Sequence, residues 1–338
     1  MLTNTSQVEE NNNITVDAIP DWVFSLEKPL VMRNFASQWP LVQAAKASAD
    51  LACDLLRSFY KGVPVNTCYG APENNGRVFY NEQVNGFNYQ ASKADLNLVL
   101  DKLLAHRNDP KPPTMYVGST EVNSFLPGFK EQHQTSIDNY NPLTSIWIGN
   151  QSKIAAHYDF PLNLAVCVVG KRRFTLFPPE QIDNLYVGPM EFAPGGQDIS
   201  MVDFDNPDLQ RFPKFKQAMA NAQVVELNPG DALFMPSMWW HHVEGLDPIN
   251  MLVTHWWRDT PAFMGRPNNA LLLAMLSLRN LPKSQRKAWQ SIFNHYIFEH
   301  EEHDIDHIPD NAQGMLKMPI DELTARKIRA ELLEKLKR

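Results

Sequence analysis

The sequence is poor in cysteine and has no apolar run approaching the length of a membrane span. Its three cysteines, Cys53, Cys68 and Cys167, show no CxxC spacing, which excludes a disulfide framework or a zinc-thiolate site as the organising feature. Cys167 falls inside an apolar stretch and reads as a small buried hydrophobe. The N-terminal stretch MLTNTSQVEENNN lacks the basic and apolar blocks of a secretory signal, so an intracellular, cytoplasmic protein is expected. No internal repeat or low-complexity segment is evident. Basic residues are not in excess either: 31 Lys and Arg against 38 Asp and Glu give a net charge of −7, which argues against broad nucleic-acid binding. What is present is ordinary for a globular chain. With 43% hydrophobic and 20% charged residues over 338 positions, a sizeable core can be buried, and disorder is expected only at the ends.

Three regions follow from the pattern. Residues 1–13 are polar and Asn-rich, and read as a mobile tail. Residues 14–260 read as one domain. Its first part mixes short strands, in VPVNTCYG and GRVFYN, with helical stretches at Leu41–Tyr60 and Ser92–His106, the latter carrying Leu96, Val99, Leu100, Leu103 and Leu104 at helical spacing. From residue 111 a strand-rich barrel is expected, its rim crossed by an insert from Gly188 to Ala222. Residues 261–338 are helical. Asn268 or Asn269 can cap a helix through ALLLAMLSLR, which is apolar nearly all round and so requires burial. A second helix starts near Ser284 with a stripe of Trp289, Ile292, Phe293, Tyr296 and Ile297. A third, Asp321 to Lys337, is acidic at its start and basic at its end, as the helix dipole favours.

The chemistry sits in two segments, AAHYDF and PSMWWHHVEG. In an extended strand alternate side chains share a face, so His157 and Asp159 of the HxD triplet point at one place. A later strand can then supply a second histidine. Two neutral imidazoles and one carboxylate make the facial triad of non-haem iron(II) oxygenases, which leaves the opposite coordination face open. His241 and His242 are neighbours and face opposite sides, so one of them serves. Between the segments, NLAVCVVGKRRFTLFPPEQ reads as two apolar strands joined at Gly170, and Pro229-Gly230-Asp231 as a tight turn between strands. A double-stranded β-helix presents a metal in this way. The cluster EHEEHDIDH, with His300, His303 and His307, reads instead as a solvated acidic loop.

The stretch VDFDNPDLQRFPKF (residues 202–215), together with AAHYDF, LFPPEQ and WWHHVE, resembles the jumonji-C-type 2-oxoglutarate oxygenases of the cupin superfamily. Among them the chain most resembles the asparaginyl hydroxylase that acts on the hypoxia-inducible factor. KPLVMRNFASQWP matches the family's entry motif, residues 140–260 carry the strong similarity, and beyond 260 only the helical character corresponds. The resemblance implies a mainly β fold with helices: a double-stranded β-helix (jelly-roll) core with an N-terminal α/β elaboration and C-terminal helices. It selects His241 as the third ligand beside His157 and Asp159, leaving His242 to packing. It also implies iron(II) as the metal and 2-oxoglutarate as co-substrate, whose far carboxylate needs a cation and a hydroxyl.

Arg172 stands where the family commonly has lysine, and its planar fork suits a carboxylate. Lys171 or Arg173 could take that place if the register differs. The resemblance adds Tyr116 as the hydroxyl donor and Asn163 beside the co-substrate. It puts His255 near the iron, where relatives have asparagine, and Ile154, with Ser152 close by, where they have threonine. Trp147, Trp239, Phe174 and Phe177 are expected to form a dry wall. The implied activity is hydroxylation of a protein side chain of Asn, Asp or His type, with the 188–222 insert helping to form a peptide groove. N-methyl-lysine demethylation is an alternative, and a non-oxidative metal-binding cupin, either an isomerase or a small-molecule binding module, is another. The C-terminal helices are expected to form a homodimer, as in the relatives resembled; no membrane partner is expected.

Overall fold

The computed structural model describes residues 5–337. Its backbone contacts separate two units, one ending at Trp257 and one beginning at Arg258; the sequence pattern had placed a boundary at 260. Among the described residues of the first unit, the strands in chain order are β1 (Ser6–Gln7), β2 (Glu9–Asn11), β3 (Leu30–Met32), β4 (Val65–Gly70), β5 (Arg77–Val78), β6 (Tyr89–Ala94), β7 (Thr114–Glu121) and β8 (Leu143–Gly149). There follow β9 (Lys153–Tyr158), β10 (Leu162–Val169), β11 (Arg172–Phe177), β12 (Gln223–Leu227), β13 (Ala232–Met235), β14 (Trp240–Gly245) and β15 (Asn250–Trp257). They form a six-stranded sheet, β1-β12-β11-β14-β9-β5, and a nine-stranded sheet, β2-β3-β13-β10-β15-β8-β7-β4-β6. This is a jelly-roll core, mainly β with helices.

The core lies between the sheets. Ala165, Cys167, Leu233 and Leu252 of one sheet meet Phe174, Leu176, Val225 and Val243 of the other. The opposite face of the larger sheet is covered by helices, where Leu164, Val166 and Val168 pack with Leu41, Val42 and Leu56. A strand buried on both faces has no polar side to alternate, which explains the apolar run of β10 from Leu164 to Val169. The chain passes repeatedly from one sheet to the other, and two of these connections are short turns. After β10 the chain crosses at Gly170, whose φ is +68°. After β12 it crosses at Asn228–Asp231, where the Asp231 carboxylate accepts from Asn228 N–H and Asn34 N–H, both at 2.9 Å, and pairs with Arg33 at 2.8 Å.

Several boundaries differ from those expected. The helical stretch from Leu41 to Tyr60 is two helices, Pro40–Ala47 and Ala49–Phe59, divided at Ser48, whose hydroxyl accepts from Leu51 N–H and so caps the second. The helix expected from Ser92 is Leu96–Ala105, because Asp95 caps it and the preceding residues pair with β4 as β6. The tail expected over residues 1–13 lies in part outside the described residues, at 1–4. Beyond that it is not a tail: β1 pairs with β12 and β2 with β3, while Val8 is buried between the sheets. One apolar side chain and two open sheet edges suffice to hold it, and Glu10 pairs with Arg33.

The second unit contains helices Pro267–Leu278, Lys283–Phe293 and Glu322–Leu336. The first is not capped by Asn268 or Asn269; Arg266 holds the cap position and Pro267 the first helical one, where its fixed φ is already suitable. Asp321 caps the last helix by accepting from Thr324 N–H at 2.7 Å. The burial expected for the all-apolar helix is not found: Leu272 is 56% exposed and Leu276 78%. Among the described residues of this unit only Ile305 is a buried hydrophobe, so the unit has no core in which to sink that helix. No helix among the described residues is long and apolar enough to cross a membrane.

Candidate metal centre

β9 and β14 are antiparallel neighbours, and their register sets His241 directly opposite His157, with ring centroids 4.2 Å apart. Asp159 follows the end of β9, two residues on and therefore on the same face. The three side chains offer one ligand atom each, all within 4.8 Å of one another. His241 Nε2 stands 3.6 Å from Asp159 Oδ2. Each ring's Nδ1 meets a main-chain oxygen, Ala155 O at 2.8 Å for His157 and Trp239 O at 3.0 Å for His241. A carbonyl can only accept, so Nδ1 carries the proton and the Nε2 lone pair is left for a metal. Burial, reinforced by the neighbouring His157, pulls the His241 pKa down to about 4, and the ring stays a neutral donor. The donor set fits a divalent cation of the kind held by two imidazoles and a carboxylate.

His242 faces the other way, as expected. Its ring stacks on Phe204 at 4.4 Å, and burial lowers its pKa to about 3. In the EHEEHDIDH cluster His300 Nε2 meets Leu316 O, and His303 pairs with Glu301. Among the described residues, the triad is the one grouping of three close His, Cys, Asp or Glu donors.

The triad opens on a cavity of about 530 Å³ between the sheets, lined also by Tyr116, Trp147, Asn163, Arg172 and Phe174. The structure removes the ambiguity among three consecutive cations. Arg172, the first residue of β11, points in and is 2% exposed. Arg173 points out to Glu226 (2.8 Å) and Glu244 (3.6 Å), while Lys171 is exposed just before the strand. The Arg172 guanidinium has no carboxylate partner among the described residues; Nη2 reaches Trp147 O only at 3.5 Å and Nε has no partner at all. Burial lowers its pKa, yet a guanidinium starts so high that it remains a cation. Tyr116 stacks on Trp147 at 6.3 Å, and burial raises its hydroxyl pKa, keeping it a donor. Asn163 Oδ1 is likewise without a partner.

His255 does not belong to this cavity. Along β15 it is Thr254 and Trp256 that face inward, so His255 turns to the helix layer, 6.2 Å from Trp39 with Nδ1 3.4 Å from Leu164 O. Of the expected dry wall, Trp147 and Phe174 line the cavity. Phe177 packs outside with Phe204, and Trp239 packs between the sheets with its Nε1 donating to Glu27 O. Ile154 lines the cavity where a threonine was the family expectation. Sequence reasoning missed Gln197, whose Nε2 donates to Asp159 Oδ1 at 3.0 Å. Nothing local signals it; only the expectation that the 188–222 insert crosses the rim pointed toward the region.

The family model of the cupin-like domain matches residues 17–263. The chain belongs to this family. Its relatives include HSPB1-associated protein 1 of Homo sapiens, 34% identical over 151 residues, which cover 43% of this chain and 30% of that protein. Lysine-specific demethylase JMJ31 of Arabidopsis thaliana is 28% identical over 186 residues, 52% of this chain and 32% of the relative. tRNA wybutosine-synthesizing protein 5 of Danio rerio is 36% identical over 106 residues, 31% and 29% respectively. The alignments thus span about a third or less of each of these relatives. The domain is of the cupin-like, JmjC type, and its His157, Asp159 and His241 could hold a metal.

Proposed function

We propose that this protein is an iron(II)- and 2-oxoglutarate-dependent dioxygenase. The observation that carries the reading is the buried Arg172 guanidinium, in the same cavity as the triad and without a carboxylate partner among the described residues. An isolated buried charge is costly, and an anionic ligand seated beside it offsets that cost. A metal-chelating dicarboxylate supplies one carboxylate for Arg172 and Tyr116 and another for the metal. His157, Asp159 and His241 would hold the iron from one side, leaving the facing side to co-substrate and oxygen. When bound, iron supplies the oxygen activation that links 2-oxoglutarate decarboxylation to hydroxylation. The protein's own contribution is to fix the tautomers of both imidazoles, to anchor the far carboxylate, and to line the cavity with Trp147 and Phe174 so that bulk water is kept out.

The substrate in this reading is a protein side chain of Asn, Asp or His type, after the resemblance to the asparaginyl hydroxylase. Demethylation of N-methyl-lysine is the second reading, favoured by the name of the Arabidopsis relative. A non-oxidative cupin would leave Arg172 without a role. The exposed apolar helix Pro267–Leu278 favours a homodimer formed through the second unit. The direct test is native mass spectrometry with manganese(II) and 2-oxoglutarate, followed by succinate release with iron(II) and oxygen. The reading expects 2-oxoglutarate to bind only with metal present, and Asp159→Ala to abolish both binding and succinate release. Full 2-oxoglutarate turnover by Asp159→Ala would overturn the assignment.

A further inference from the structure

A strap from Tyr186 to Met201 runs against the strand that carries His157. It closes on itself, Gly188 N–H donating to Ile199 O and Met201 N–H to Tyr186 O, both at 2.9 Å. Its returning arm is fastened to β9: Ser200 N–H donates to Ala156 O at 2.8 Å, and Ile199 bridges His157. Its tip is fastened to another part of the same unit. There Phe192 stacks on Phe87 at 4.6 Å, and the Tyr80 hydroxyl donates to Phe192 O at 2.6 Å. Between tip and arm the chain turns at Gly195 and Gly196, whose φ values of +80° and +84° suit residues without a Cβ. That turn delivers Gln197 to the metal ligand.

The two oxygens of Asp159 therefore have different surroundings. Oδ1 accepts from Gln197 Nε2 at 3.0 Å, while Oδ2 lies 3.6 Å from His241 Nε2 and faces the imidazoles. We propose that Gln197 is a positioning residue that holds Asp159 as a one-oxygen metal ligand and ties the strap to the metal centre. The inference rests on the triad being a metal site. A free aspartate carboxylate can rotate and offer both oxygens, occupying two coordination positions instead of one. With Oδ1 engaged by an amide donor, rotation is opposed and the second position stays open for other ligands. The hydrogen bond and the metal share one carboxylate, so the coupling is reciprocal: whatever Gln197 adds to metal affinity, the metal adds to the order of the strap.

The test uses the full chain, titrated with manganese(II) under electron paramagnetic resonance, in the native form and as Gln197→Leu. Gln197→Met, of similar length and also without the donor, is the second variant should Gln197→Leu fold poorly, and thermal melting without metal checks both. The variants are expected to bind manganese(II) roughly 10-fold more weakly, at the lower end of what losing a partner of a metal ligand costs. With cobalt(II), their visible spectrum should shift toward a higher coordination number. Hydrogen exchange over residues 190–198 should slow on metal binding in the native chain and not in the variants. Native affinity, an unaltered cobalt(II) spectrum and native-like metal protection of the strap in both variants overturn the proposal. If the native chain shows no manganese(II) binding that Asp159→Ala removes, the metal reading itself fails, a different result from a weakened Gln197 variant.

Discussion

Arg172 has a positive charge and, among the described residues, no carboxylate to share it with. Two opposite effects follow from removing it. Arg172→Met should raise the melting temperature of the ligand-free protein, because an uncompensated buried cation is replaced by an apolar side chain. The same change should weaken 2-oxoglutarate binding roughly 10- to 100-fold, the worth of a charge-assisted hydrogen bond, with manganese(II) affinity retained. Calorimetry of both ligands decides; unchanged 2-oxoglutarate affinity would move the anchor elsewhere. His255, His133 and His242 matter through their neutrality. Burial holds their pKa values at about 4, 4 and 3. Below the ordinary value near 6.5 the unfolded chain takes up protons that the folded chain refuses, so their stabilisation is complete above that pH and drains as pH falls toward 4. Melting temperature should therefore fall as pH is lowered from about 6.5 to 5, each such histidine adding to the loss. His255→Gln should flatten the profile, and an unchanged slope would show that this ring is not held neutral. At this scale the sequence was legible where chemistry repeats, as in HxD. It was not legible where a single step in register decides: His255 and Trp256 exchange faces with one residue's shift, and only the partner strands of β15 fix which one faces the cavity.

Among the elements, the strands between the two triad segments could be read because their apolar runs are bounded by Gly170, between β10 and β11, and by Pro229-Gly230-Asp231, between β12 and β13. What could not be read is that both junctions change sheets, since pairing is a property of two segments and each was seen alone. The helix breaks at Ser48 and Asp95 had a local signal in their capping side chains, outweighed by the apolar residues on either side. The strap around Gln197 had none, because main-chain hydrogen bonds and stacked rings hold it and these leave no periodicity. Gly170 supplies a test of the sheet change. A Cβ there would stand 2.3 Å from Ile249 O, on a backbone already at positive φ. Gly170→Ala should cost at least about 1–2 kcal/mol, the penalty of the left-handed conformation alone, read from the urea midpoint. A native midpoint would mean that the crossing can relax.

The whole molecule joins a unit with a well-filled core to one with almost none of its own. The homodimer proposed for the second unit predicts that Leu272→Arg, at a position 56% exposed in the single chain, yields a monomer by light scattering while manganese(II) binding persists. A native protein that scatters as a monomer at micromolar concentration would remove the proposal and leave the metal centre untouched. The pairing of His157 with His241 has a further consequence, for how the protein is made. The two face each other in adjacent strands although most of the six-stranded sheet's later members, β11 and β12, are synthesised between them. A nascent chain that has emerged only as far as β12 holds two of the three ligands and lacks β14, the strand that brings the third. Metal cannot template early folding in such a topology, because the long-range pairing that makes the site must be formed first. The ion is thus expected to arrive at a barrel already closed, and to act by retarding its opening.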